Sequence, residues 1–236
     1  MNVLGGNNMM SLRECVKNRL YGQTDKKPDN YYDVYESHFE CIRTEPIRLL
    51  EIGVRWGGSI WGWRNYFPNA HLVGLDIDPN VLQYNGNDDK LNVQLYVGDQ
   101  CDINLLTDLN TKHGPFDIII DDGGHTMDQQ LITFNTMWPL LNNGGLYIVE
   151  DTHTSYWPSF GGGYKRENTF LEFVKSMIDS IHAYHHKMHQ RSADMKNNQP
   201  VNYIDHSIYG LHVYDSIIVI QKYDRGILTP IPEVNL

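Results

Sequence analysis

Short apolar runs alternate along most of the chain with stretches in which apolar residues recur every three or four positions. The runs are Ile47–Ile52, His71–Leu75, Val93–Val97, Phe116–Ile120 and Leu146–Val149. They are brief and rich in β-branched residues, which predicts strands buried on both faces in a parallel sheet. Between them, Met127, Leu131, Phe134, Trp138 and Leu141 mark a helix over 126–141. A second amphipathic helix is predicted over about 167–189, with the stripe Phe170, Val174, Met177, Ile181, Tyr184 and Met188. Residues 190–202 predict a polar loop, and GLHVYDSIIVIQK (210–222) predicts two strands joined tightly at Asp215-Ser216. Residues 1–45 are polar and mixed, with one short helical stretch near Ser11–Leu20. Repeated β–α units predict an α/β doubly wound parallel sheet with an antiparallel strand at its end. The expected organisation is one domain, with a cap segment over 1–45 and the α/β unit over 46–236.

Composition narrows the partners. A chain of 236 residues suits one domain with additions. Nineteen Lys and Arg against 29 Asp and Glu give a net charge of −10. That argues against a nucleic-acid binder, which would carry a basic stripe. No apolar run approaches the roughly 18 residues of a membrane span. The start, MNVLGGNNMMSLREC, lacks the basic and apolar regions of a signal peptide. Cys15, Cys41 and Cys101 are scattered, with no CxxC. They read as reduced thiols, so the expectation is a cytoplasmic protein away from membranes. Homo-oligomerisation is left open.

In an open α/β sheet, ligands bind beyond the carboxyl ends of the strands. The first strand is followed by EIGVRWGGS (51–59). This is neither a GxGxxG fingerprint, since Arg55 occupies the second glycine position, nor a phosphate loop, since no GK[ST] follows. It suits a cofactor without a pyrophosphate. After the second strand, Asp76 is placed to accept from both hydroxyls of a ribose, with Asp78 next in line. After the third, Asp99 can accept from an adenine amino group, assisted by Gln100.

DDGGH (121–125) follows the fourth strand and Glu150-Asp151 the fifth. Four carboxylates thus converge at one sheet edge, where they would raise one another's pKa without a cation. A hard divalent ion such as Mg²⁺ resolves this. His125, three residues beyond Asp122, can act on a group bound there, and His153 is a competitor. His182, His185, His186 and His189 have helical spacing and are expected on a solvated face. Trp56, Trp61 and Trp63 are expected to pack the first helix against the sheet. Tyr156-Trp157 and Gly161–Gly163 suggest a covering loop with glycine hinges.

Taken together, EIGVRWGGS, GLDID, GDQ, FDIIIDDGGH and GGLYIVEDTHTSYW resemble class I S-adenosylmethionine-dependent methyltransferases. Within these, the chain is similar to the metal-dependent sugar O-methyltransferases of the macrocin and mycinamicin type, over about residues 20–222. The resemblance implies a Rossmann-like seven-stranded sheet with the last strand antiparallel. It implies that Asp122, Glu150 and Asp151 bind Mg²⁺ and that His125 is the general base. It puts Glu51, Gly53, Ser59, Asp76, Asp99, Gln100 and Asp121 around S-adenosylmethionine. The family's YGTDK reads YGQTDK here, Asp29 stands where a histidine follows, and Tyr31 and Tyr35 keep a paired tyrosine spacing. The implied reaction is methyl transfer to a hydroxyl of a deoxysugar, such as rhamnose, in a glycan or glycoside. A catechol chelates a metal equally well and gives an alternative acceptor. A non-catalytic cofactor-binding subunit is the rival of a different class.

Overall fold

The computed structural model describes residues 9–17, 29–85, 92–193 and 207–224, with the side chains of residues 29 and 183–193 outside the description. The polar stretch 194–202 and the whole YGQTDK segment fall outside it too.

Seven strands form one sheet: β1 (Arg48–Ile52), β2 (His71–Asp76), β3 (Val93–Val97), β4 (Ile118–Asp121), β5 (Leu146–Val149), β6 (Ile208–Val213) and β7 (Ile218–Lys222). Their order is β3-β2-β1-β4-β5-β7-β6. The first five are mutually parallel, and β7 pairs antiparallel with both β5 and β6. The terminal hairpin turns at Tyr214–Ile217, where the Tyr214 N–H donates to the Ile217 carbonyl at 2.9 Å and Ser216 has a φ of 66°.

Helices cover both faces. On one side lie α1 (Leu12–Lys17), α2 (Asp29–Phe39) and α3 (Gly58–Tyr66). Their Leu12, Tyr35, Ile60 and Trp63 share a core with Leu49, Ile120 and Ile148 of the sheet. On the other side, α4 (Ile103–His113), α5 (Met127–Met137) and α6 (Phe170–Ala193) bury Leu106, Phe134 and Phe170 against Leu50, Ile119 and Val149. Neighbouring strand residues thus go to opposite cores, as the two-residue period requires. The helix expected over 126–141 ends its regular turns at Met137, and that expected over 167–189 runs from Phe170 to Ala193. His182 is exposed, as anticipated; the side chains of His185, His186 and His189 lie outside the described residues.

Trp61 and Trp63 are 3% and 1% exposed, but Trp56 is 42% exposed and carries the Arg55 guanidinium 4.0 Å above its ring. Trp56 precedes the helix and sits in the glycine turn, so it has no sheet face to pack on. All three cysteines are free thiols. No helix among the described residues is long and apolar enough to cross a membrane.

Candidate active site

β1 stands between β2 and β4, so the chain leaves its carboxyl end in the crevice where strand order reverses. A cleft of about 300 Å³ opens there. Gly53, Ser59, Asp76, Asp99 and Gln100 all line it, as do Asp122 and His125. Five of the seven sequence-predicted cofactor residues therefore share one cleft with Asp122.

The turn after β1 is built around a close approach. Gly53 has a φ of 89°, and a β-carbon there would lie 1.9 Å from the carbonyl oxygen of Asp122. The Asp122 N–H donates to Ile52 O at 2.9 Å. Glycine is thus required at 53 by the neighbouring loop as well as by backbone conformation. Asp76 is fixed in turn: its carboxylate accepts the N–H of Arg55 at 2.7 Å and of Asp78 at 2.9 Å. Asp99 accepts the N–H of Cys101 at 2.8 Å.

Gln100 uses its whole amide. Its Nε2 lies 3.1 Å from both Asp121 Oδ1 and Thr133 Oγ1, and its Oε1 accepts the Gly124 N–H at 2.7 Å. It therefore ties the DDGGH loop to the end of β3. Glu51 and Asp121 do not line the cleft. Glu51 is fully buried on the α3 side and accepts from Trp63 Nε1 at 3.1 Å. Asp121 is 1% exposed, and burial pushes its carboxyl up to about 7, against the opposing pull of hydrogen bonds from Gly123 and Gln100. Both acids are buried because Glu51 and Asp121 are still strand residues inside the sheet, before the chain turns out of it.

The DDGGH loop delivers His125. A capping box starts α5: the Gln129 N–H donates to Thr126 Oγ1 at 3.4 Å, and the Thr126 N–H donates to Gln129 Oε1 at 3.2 Å. Thr154 Oγ1 donates to the His125 carbonyl at 2.9 Å. His125 itself has a φ of 58° and Asp151 a φ of 53°. Non-glycine residues in this left-handed region concentrate at functional sites. Nε2 of His125 lies 3.4 Å from Asp151 Oδ2 and 3.9 Å from Asp122 Oδ1. Among the described residues, Asp122, His125 and Asp151 each offer a ligand atom within 4.8 Å of the others. Two carboxylates in that set are hard oxygen donors, suited to Mg²⁺.

Glu150 stands beside this group, 2% exposed, and accepts a hydrogen bond from the Tyr35 hydroxyl. Burial first, then the negative charges of Glu150, Asp122 and Glu51, hold the Tyr35 hydroxyl well above its usual range. Glu150 is thus outside the set formed by Asp122, His125 and Asp151, with its carboxylate turned to Tyr35. Tyr31 and Tyr35 were legible only as a paired spacing; nothing in the sequence says what their hydroxyls meet.

His153 turns away from the cleft: its Nδ1 contacts Ser216 Oγ, and its ring meets Trp157 edge-on at 4.5 Å. Of the expected glycine hinges, Gly162 is close-packed, whereas Gly161 has a φ of 82° and no atom nearer than 3.6 Å to a β-carbon placed there. A β-carbon on Gly162 would meet Thr154 O at 2.4 Å, and the Gly163 N–H donates to Ser155 O at 2.8 Å. Tyr156 and Trp157 remain half exposed beside the site.

A methyltransferase-domain family model matches residues 50–152. Demethylmacrocin O-methyltransferase of Streptomyces fradiae is 37% identical over 198 residues, which cover 80% of this chain and 47% of that one. The chain carries a methyltransferase domain with the class I methyltransferase fold. Mycinamicin VI 2''-O-methyltransferase of Micromonospora griseorubida is also 37% identical, over 84% of this chain and 50% of its own. A solved structure of the MycE methyltransferase from the mycinamycin biosynthetic pathway, in complex with Mg, S-adenosylhomocysteine and mycinamycin VI, superposes with a TM-score of 0.78. It is 32% identical, over 92% of this chain and 54% of that one. The chain spans about half the length of the curated relatives it matches.

Proposed function

We propose that this protein is a Mg²⁺-dependent O-methyltransferase that moves a methyl group from S-adenosylmethionine to a hydroxyl of a deoxysugar in a glycoside. One observation carries the reading: His125 Nε2 stands 3.4 Å from Asp151 Oδ2 at the edge of a glycine-walled cleft. A base, a set of oxygen donors and a cofactor-sized space meet at one point. Two relatives named as O-methyltransferases of rhamnosyl tetracenomycin C, 33% and 34% identical, support the acceptor class.

In this reading, the wall of Gly53, Ser59, Asp76, Asp99 and Gln100 holds S-adenosylmethionine, with Glu51 and Asp121 supporting it from below. Asp122, Glu150 and Asp151 hold the cation. When bound, the cofactor supplies a methyl group already activated by its sulfonium, and the cation supplies Lewis acidity towards the acceptor hydroxyl. His125 takes the hydroxyl proton at Nε2, and the facing carboxylates of Asp151 and Asp122 stabilise the imidazolium that forms. Gln100, Thr126 and Thr154 hold the loop that carries the base, so its position is set before the acceptor arrives. Helices α1 and α2 act as a cap belonging to the same domain. With its free thiols, the protein suits the cytoplasm.

The test is a methyl-transfer screen of rhamnose-type glycosides and free catechols, with and without a chelator. Sugar methylation that stops on chelation and returns with Mg²⁺ is expected. Methylation of catechols alone removes the sugar assignment. Full activity after exhaustive chelation removes the metal.

A further inference from the structure

Two tyrosines of α2 reach the two consecutive acids at the end of β5. The Tyr35 hydroxyl donates to Glu150 Oε1. The Tyr31 hydroxyl lies 3.0 Å from Asp151 Oδ1 and 3.0 Å from Ser216 O, and it accepts the Asp151 N–H at 3.4 Å. Tyr31 and Tyr35 are 2% and 0% exposed.

The geometry has a physical origin. Residues four apart on a helix share a face, so both hydroxyls point the same way. Consecutive residues of a strand point to opposite faces. Ile148 faces the α2 side, so alternation brings Glu150 to that side as well. Asp151 would follow Val149 to the far core if the strand continued. Its left-handed φ of 53° ends the strand and swings it back toward the same helix face.

Packing then locks the tyrosines. The Tyr35 ring meets Trp63 edge-on at 4.8 Å and lies 5.2 Å from Phe39. The Ser216 carbonyl that faces Tyr31 also accepts the Thr152 N–H at 3.1 Å, so the β6–β7 turn closes over the far side of Asp151. A buried carboxylate requires partners, and a hydroxyl donating to an ionised oxygen is among the stronger ones.

We propose that α2 is a positioning element of the metal site. Tyr35 and Tyr31 hold Glu150 and Asp151 in the arrangement that receives a divalent cation, so the N-terminal cap and the metal site form one unit. This rests on the metal reading above and adds to it two residues outside the cleft lining. Groups that orient metal ligands are typically worth about 10–100-fold in metal affinity.

Mn²⁺ is the probe, titrated into the full chain with free Mn²⁺ read by electron paramagnetic resonance. Tyr31→Phe and Tyr35→Phe are each expected to bind Mn²⁺ about 10–100-fold more weakly. Their affinity for S-adenosylhomocysteine in metal-free buffer, read by calorimetry, is expected to stay unchanged. Tyr66→Phe is the control, since Tyr66 is equally buried but donates to Glu40 at 2.9 Å, away from the site. It should leave Mn²⁺ affinity at the native value. If Asp122→Asn abolishes Mn²⁺ binding while both tyrosine variants bind as the native protein does, the positioning role falls and the metal reading stands. If the native protein and Asp122→Asn bind Mn²⁺ equally poorly, both fall. If the tyrosine variants lose Mn²⁺ and S-adenosylhomocysteine together, the hydroxyls serve folding alone and the positioning role is overturned.

Discussion

The carbonyl oxygen of Asp122 lies 1.9 Å from where a β-carbon on Gly53 would be. The turn after β1 and the DDGGH loop are therefore packed backbone to backbone, and neither can shift alone. Gly53→Ala meets both a clash with main-chain atoms and a φ of 89°. Strain and overpacking together should cost about 3–5 kcal/mol. Urea denaturation checks this, and native-like stability would mean that the two loops can separate.

Asp76 has its carboxylate oriented by two backbone N–H groups, from Arg55 and Asp78. A ribose would meet an acceptor already fixed in place. Hydrogen bonds to a charged acceptor are worth about 1.5–3 kcal/mol, so Asp76→Ala should bind S-adenosylhomocysteine roughly 10–100-fold more weakly. Calorimetry measures this directly, and an unaltered affinity assigns the ribose to another residue.

His125 is distinguished from a metal ligand by what survives its removal. His125→Ala should bind Mn²⁺ and S-adenosylhomocysteine normally yet lose roughly 10²–10⁴-fold in rate, the usual worth of general acid–base catalysis. Asp122→Asn should show the reverse emphasis, losing the metal while keeping the cofactor. A His125→Ala protein that turns over at the native rate would move the base elsewhere, and one that no longer binds Mn²⁺ would make the histidine a ligand.

A histidine pair far from the cleft sets an acid limit on stability. His71 Nε2 and His113 Nδ1 are 3.1 Å apart, and His113 Nε2 lies 2.6 Å from the Tyr96 hydroxyl. That contact needs at least one ring nitrogen unprotonated. Burial first, then the charges of His71 and Lys112, hold His113 below its usual range. The unfolded chain therefore takes up a proton before the folded one, so stability falls as pH drops through about 6.5. Denaturation midpoints at pH 8 and pH 5.5 should differ more for the native protein than for His113→Gln; equal differences would remove His113 as the cause.

The strand pattern and its motifs were determined by the sequence, because burial on both faces of a parallel sheet demands continuous apolar runs that few other elements show. The placement of chemistry beyond strand ends followed from the same rule, and it put Gly53, Asp76, Asp99, Gln100, Asp122 and His125 on one cleft. Strand ends were legible only to within a residue or two: Phe116 was read into β4, whereas the strand begins at Ile118 and holds Asp121 within the sheet.

Tertiary structure alone decided the rest. Glu51 and Asp121 stayed buried in their strands and off the cleft lining, since one residue of register separates a buried strand end from an exposed turn. His153 was drawn to the Ser216 turn, a contact across 63 residues of chain that no local pattern encodes. Tyr31 and Tyr35 found Asp151 and Glu150 across 120 and 115 residues. Periodicity tells which face of a helix a side chain occupies; only the packed fold determines which carboxylate that face will meet.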